Sequence, residues 1–140
     1  MIEFPGQRAF CDTSFFFASL YPKDVNYNRA GQILKEACDQ EISLWATWDI
    51  ISETATLLLY RFHYKAAIRF LDEMKPALNI IRYDDSVREE AERVFRLFSK
   101  DKNLSYCDAI SFVVVKSLLN DIPCLSFDED FSGLGLTVIR

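Results

Sequence analysis

Short apolar runs alternate with longer stretches in which apolar residues recur at helical spacing, and this alternation predicts the elements of the chain. Residues 1–7 read as an extension ended by the Pro5-Gly6 turn signal. Arg8–Cys11 predicts a strand running directly into Asp12, and a helix follows over Phe15–Leu20 until Pro22 stops it. Ala30, Ile33, Leu34, Ala37 and Cys38 share one face of a second helix, Arg29–Asp39. Ile42–Ala46 reads as a strand, after which Thr47 or Asp49 can cap a helix running to the neighbourhood of Phe62. A further helix spans Tyr64–Met74, ahead of Pro76, and Leu78–Tyr83 is a strand. Ser86-Val87-Arg88-Glu89 has the form of a capping box, opening a helix with Val87, Ala91, Val94, Phe95 and Phe98 on one face. Apolar residues nearly encircle Ser105–Leu119, as expected of a helix buried on most sides. Pro123–Phe127 and Leu136–Ile139 are the last two strands.

Strands alternating with helices imply an α/β fold, a parallel sheet with helices on both faces. No linker, repeat or low-complexity segment divides the 140 residues, which fit one domain over 1–140. In such sheets ligands bind beyond the carboxyl ends of the strands, at a topological switch point. That rule directs attention to the residues just after each strand.

Composition narrows the class. Half the residues are hydrophobic and 26% are charged, as in a globular chain. No apolar run approaches the ~20 residues of a membrane-spanning helix. The N-terminus lacks the basic-then-apolar order of a secretory signal, so a cytoplasmic protein is expected, with no membrane partner. Cys11, Cys38, Cys107 and Cys124 form no C-x-x-C pair, and His63 is the single histidine, which argues against zinc. The cysteines read as reduced, core-type residues. A net charge of −5 counts against a general nucleic-acid binder. The objection weakens if several of the acids belong to one site, because the remaining surface is then close to neutral.

Four acids stand at informative places. Asp12 and Asp128 each follow an apolar run and so sit at the carboxyl edge of the sheet, where either could merely cap the next helix. Glu53 lies three residues after Ile50 and four before Leu57, in or beside the apolar stripe of its helix. A carboxylate there costs several kcal/mol of desolvation unless it is paired, bound to a cation or able to reach water. Asp108 closes Ser105-x-x-Asp108, a capping-box pattern that would explain an acid without any function. As a set they ask for more. Two like charges ~4 Å apart repel by about 4 kcal/mol at an effective dielectric of 20. Four gathered carboxylates would take up protons or bind a hard cation, and an all-oxygen set suits Mg²⁺ or Mn²⁺.

The order of these motifs resembles that of the PIN-domain ribonucleases, in particular the toxins of virulence-associated type II toxin–antitoxin pairs. The resemblance is carried by Asp12-Thr13-Ser14, by Glu53 within Ile51-Ser52-Glu53-Thr54, by Asp108 within Leu104-Ser105-Tyr106-Cys107-Asp108-Ala109, and by Ser126-Phe127-Asp128-Glu129-Asp130-Phe131. It implies a Rossmann-like five-stranded parallel sheet and an Mg²⁺- or Mn²⁺-dependent endoribonuclease. It also implies an RNA substrate, an antitoxin partner and a homodimer. By this resemblance Asp12 and Asp108 are the main metal ligands and Glu53 and Asp128 complete the acidic pocket, while Asp130 is either an auxiliary acid or, more simply, a surface residue or the cap of a short turn. Ser14 and Ser126 would orient carboxylates or water. The chain departs from the family pattern in a late first strand and in Asn120-Asp121, where a glycine often ends the helix.

Other residues invite weaker readings. Arg93, Arg96, Lys100 and Lys102 could track RNA phosphates, although cations are expected near a helix C-terminus. His63 is expected to cap a helix end. Phe15-Phe16-Phe17 and Tyr21 could present a surface for a dimer mate or an antitoxin, or could pack in the core. Three alternatives stay open: a PIN nuclease in RNA processing without an antitoxin, a catalytically silent PIN-like binding module, and a phosphoacceptor receiver domain. The last would want paired acids after the first strand and a lysine near Asp128, and neither is present.

Overall fold

The computed structural model describes residues 1–140. Five parallel strands form one sheet in the order β3-β2-β1-β4-β5: β1 Arg8–Cys11, β2 Ser43–Ala46, β3 Asn79–Ile80, β4 Cys124–Leu125 and β5 Val138–Ile139. The helices are α1 Thr13–Leu20, α2 Tyr27–Asp39, α3 Trp48–Arg61, α4 Tyr64–Arg69, α5 Asp85–Phe98, α6 Tyr106–Leu118 and α7 Glu129–Ser132. From β1 the chain steps outward to β2 and β3, then crosses back to β4 on the other side of β1. Parallel crossovers are right-handed, so this reversal puts α1–α4 on one face and α5–α7 on the other. The contacts agree: α1 packs on α2 and α3, α3 on α4, and α5 on α6. The switch point lies between β1 and β4.

The core is dense with aromatic rings. Phe10, Phe15, Phe16, Phe70 and Phe131 are fully buried, and Phe17 nearly so, so the phenylalanine run serves the interior. Phe16 meets Phe70 at 5.3 Å between centroids, and Phe15 stacks on Phe127 at 6.1 Å. The second contact clamps the segment after β4 against α1. Ile2 is buried too, with Gln40 donating to its carbonyl at 2.8 Å, so the segment before β1 folds back onto the end of α2.

Several boundaries and caps differ from the sequence reading. Leu78–Tyr83, Pro123–Phe127 and Leu136–Ile139 shorten to two-residue ladders, because only those residues meet a neighbouring strand in register. Helix α1 starts at Thr13 because Asp12 caps it, and α2 begins at Tyr27. Thr47, not Asp49, caps α3. Ser86-Val87-Arg88-Glu89 is not the capping box: Asp84 is the cap of α5, accepting from the Ser86 backbone N–H at 3.1 Å. His63 caps the start of α4, its Nδ1 accepting from Ala66 N–H at 3.0 Å. Tyr64–Met74 is helical throughout, passing from α4 into a π-helical turn at Phe70–Met74. Asn120 and Asp121, after α6, both adopt left-handed φ, 55° and 57°, which these two residue types tolerate better than most. All four cysteines are free, and Cys38 is exposed rather than part of the buried face of α2.

Candidate active site

Adjacent strands deliver the centre of the site. Asp12 directly follows β1, and Ser126 directly follows β4. Asp12 Oδ2 accepts the Ser14 hydroxyl at 2.8 Å and the Ser126 hydroxyl at 3.0 Å. With both hydroxyl protons directed at the carboxylate, the two serine oxygens, 3.2 Å apart, remain acceptors. Ser14 Oγ takes the Phe127 backbone N–H at 3.0 Å, and Ser126 Oγ takes that of Asp128 at 3.1 Å. The loops leaving β1 and β4 are thus joined through one carboxylate oxygen. The other, Asp12 Oδ1, is buried and has no hydrogen-bond partner, and neither does the neighbouring Thr13 hydroxyl.

Asp108 comes from the opposite face of the sheet. It forms a true capping box at the start of α6: Asp108 N–H donates to Ser105 Oγ at 3.0 Å, and Ser105 N–H donates to Asp108 Oδ2 at 3.1 Å. Capping and burial coincide here, for Asp108 is only 6% exposed. Glu53, half-buried on the second turn of α3, makes no side-chain hydrogen bond or ion pair. Asp128 caps α7 by accepting from Asp130 N–H at 2.9 Å. Asp12, Glu53, Asp108 and Asp128 line one cleft of about 350 Å³, with Thr13 and Asn103 beside them. Sequence reasoning misses Thr13 and Asn103, because nothing local marks a threonine or a loop asparagine as facing carboxylates.

The electrostatics are those of crowded anions. Burial raises the Asp12 carboxyl pKa above the ordinary range, and the Asp128 charge adds to it, while the Ser14 and Ser126 hydroxyls pull it back. Asp108 is pushed up to about 7, first by burial and then by Asp12 and Asp128, against the lowering effect of its bonds with Ser105. The Cys107 thiol, half-buried next to the site, is also held up, by desolvation and then by Glu53 and Asp108. No ion pair involves any of the four carboxylates.

One expectation is narrowed. The four acids share a cleft but do not close into a ready cage, for no group of three or more acidic, cysteine or histidine side chains is set to hold an ion as it stands. The reason is local. Oxygens of Asp12, Asp108 and Asp128 are turned toward serine hydroxyls and the backbone N–H groups of helix starts. The donor set nevertheless suits a hard cation: oxygens only, no competing base, and one buried carboxylate oxygen left without a partner. Asp130 is half-buried on α7 and does not line the cleft. Arg93 and Arg96 pair with Glu90 and Glu92 of their own helix, at 3.4 and 3.7 Å, and Lys102 donates to the Gly133 carbonyl at 2.9 Å. Lys100 is exposed just beyond α5.

The fold has counterparts among known proteins. Residues 9–135 match the model of the PIN domain. The chain belongs to the PIN-domain family. This PIN domain is 36% identical over 127 residues to the VapC ribonuclease of Archaeoglobus fulgidus, covering 89% of the chain and 79% of that relative. Its fold is similar to the crystal structure of VapC20 of Mycobacterium tuberculosis, a toxin that cleaves the sarcin–ricin loop. There the TM-score is 0.81 at 24% identity, over 94% of this chain and 98% of that one. FitAcB of Neisseria gonorrhoeae aligns with a TM-score of 0.67 at 13% identity, over 94% and 96% of the two chains. No helix of the PIN domain is long and apolar enough to cross a membrane.

Proposed function

We propose that this PIN domain is an endoribonuclease that hydrolyses RNA phosphodiester bonds in the acidic cleft with the help of Mg²⁺ or Mn²⁺, and that it acts as the toxin of a toxin–antitoxin pair. The observation that carries the metal-dependent chemistry is Asp12 Oδ1, buried without a partner in a cleft lined by four carboxylates and no cation. The family and the 36% identical VapC ribonuclease support the choice of RNA. A phosphate cannot approach such a cleft unless its charge and that of the carboxylates are offset.

Asp12 and Asp108 would hold the cation, with Glu53 and Asp128 adding negative charge at its margin. When bound, a divalent cation supplies acidification of water near neutral pH and compensation for charge developing on the phosphate oxygens. The residues of the chain do the positioning. Ser14 and Ser126 fix Oδ2 of Asp12, which leaves Oδ1 directed by a rigid frame rather than by a freely turning side chain. The capping box fixes Asp108 in the same way. Glu53, without a hydrogen-bonding partner, is free to accept a proton or orient water beside the phosphate. An antitoxin partner and a homodimer belong to this reading as proposals.

The deciding experiment is cleavage of structured and single-stranded RNA with Mg²⁺ or Mn²⁺ by the wild type, Asp12→Asn and Asp108→Asn. Cleavage is expected in the wild type and lost in both variants. Activity that survives EDTA, or survives both substitutions, would overturn the mechanism.

A further inference from the structure

The arginines at the carboxyl end of β3 differ from those on the outer face of α5. Arg82, just after β3, and Arg88, in the first turns of α5, pair with no carboxylate. They line a pocket of about 360 Å³ together with Tyr83 and Trp48. Trp48 is 50% exposed, an unusual situation for so large a ring on a small domain. The Arg88 guanidinium lies 5.3 Å over the Tyr83 ring, and Lys75 Nζ lies 5.7 Å over that of Trp48. The single acid in this pocket, Asp49, accepts the Tyr83 hydroxyl at 2.6 Å.

Its position gives the pocket its meaning. Asp49 and Ser52 line it and also line a groove of about 480 Å³ walled by Tyr60 and Tyr106. Glu53 and Leu57 line that groove and the acidic cleft. Residues 49, 52, 53, 56, 57 and 60 lie on one face of α3, so the three hollows are continuous along it.

We propose that Trp48, Arg82 and Arg88 form a phosphate-binding subsite for the RNA strand as it leaves the acidic cleft along α3. The inference rests on the nuclease reading of that cleft. Charge favours a polyanion as occupant. Guanidinium forks match phosphate oxygens, and an exposed indole offers a face on which a base stacks. The acids repel an RNA strand except where a cation sits, so its flanking phosphates need cations elsewhere on the path. The only arginines in the walls of the three hollows are these two.

The test compares the full-length wild type with Arg82→Ala/Arg88→Ala, Trp48→Ala and Arg93→Ala/Arg96→Ala. The last removes the same charge from the outer face of α5. Binding of a short fluorescein-labelled single-stranded RNA of mixed sequence is measured across a salt series in EDTA, and KM and kcat for RNA cleavage are measured with Mg²⁺. The Arg82/Arg88 variant is expected to bind about ten-fold more weakly, with a salt dependence shallower by about two. Its KM should rise while kcat changes little. Trp48→Ala should weaken binding without altering the salt slope, and the α5 pair should have little effect. Equal losses in both arginine pairs would overturn the subsite in favour of diffuse attraction. So would unchanged RNA binding, or a dimer-to-monomer change of the Arg82/Arg88 variant on size exclusion, which would mark an interface between copies. If the wild type cleaves no RNA, the nuclease reading fails, while the EDTA binding arm still decides the subsite.

Discussion

Asp12 and Glu53 face the same cleft, yet one is fixed by two hydroxyls and the backbone of two loops, whereas the other extends from a helix without a hydrogen-bond partner. The difference follows from where each sits. Asp12 stands at the junction of the two central strands, where backbone and small polar side chains converge from distant parts of the chain. Glu53 stands on the second turn of a helix, beside the cleft and a groove shared with Tyr106 and Cys107, and no side chain bonds to it. The comparison teaches that the Asp12 side of the cleft is held in place by its own hydrogen bonds, whereas Glu53 is left adjustable.

The strongest way to test this division is pH. Burial and the neighbouring carboxylates push Asp108 up to about 7, and a cation bound there would have to displace that proton. Affinity for Mn²⁺, read by calorimetry, should therefore fall by about a hundred-fold between pH 7 and pH 5, at roughly ten-fold per unit. In Asp108→Asn the dependence should flatten. Stability without metal moves the other way. A carboxyl raised in the folded state binds its proton more tightly there than in the unfolded chain, so the contribution of Asp108 to metal-free stability is fully present below the ordinary carboxyl range and is lost as pH rises toward 7. Chemical denaturation in EDTA across that range would show a rising trend if the assignment is wrong.

Next in size is the double substitution Ser14→Ala/Ser126→Ala, which removes the two hydroxyl bonds to Asp12 Oδ2 that lower its pKa and leaves only the Ser14 backbone N–H on that oxygen. Metal affinity should drop by about ten- to a hundred-fold. A drop confined to thermal stability, with affinity intact, would mean the hydroxyls only hold the loops together. Glu53→Gln should reduce kcat by about ten-fold or more, within the usual range for a residue that handles a proton or water, with the melting temperature unchanged. If melting falls with the rate, the adjustable wall is in fact structural. Smallest of all is Asp130→Asn, expected to leave cleavage within about two-fold, since Asp130 does not line the cleft.

Much of this architecture is legible in the sequence because local rules and global packing agree. An acid after an apolar run marks the carboxyl edge at both central strands, Asp12 directly after β1 and Asp128 three residues beyond β4, and Ser105-x-x-Asp108 is both a helix start and part of the cleft wall. The alternation of strands and helices is enough for the parallel sheet. Two kinds of feature are not legible. Ser86-x-x-Glu89 fits a capping box, yet Asp84 is two residues nearer to β3 and takes the helix end first, a competition that pattern alone does not resolve. The pocket of Trp48, Arg82 and Arg88 brings together the start of α3, the end of β3 and the start of α5, residues that meet only through the sheet order. The basic residues that do stand out, Arg93 and Arg96, stand out because they are close in sequence on a helix rich in charge. For the same reason each has a glutamate within reach.

The bond between Ser126 and Asp12 joins residues 114 positions apart. A polypeptide that stops anywhere between them, whether truncated or still emerging from the ribosome, lacks the hydroxyl that holds Oδ2 of Asp12 and lacks Asp128 as well. On the proposed nuclease reading such fragments would be inert toward RNA, and cleavage would begin only once Ser126 and Asp128 have joined the fold.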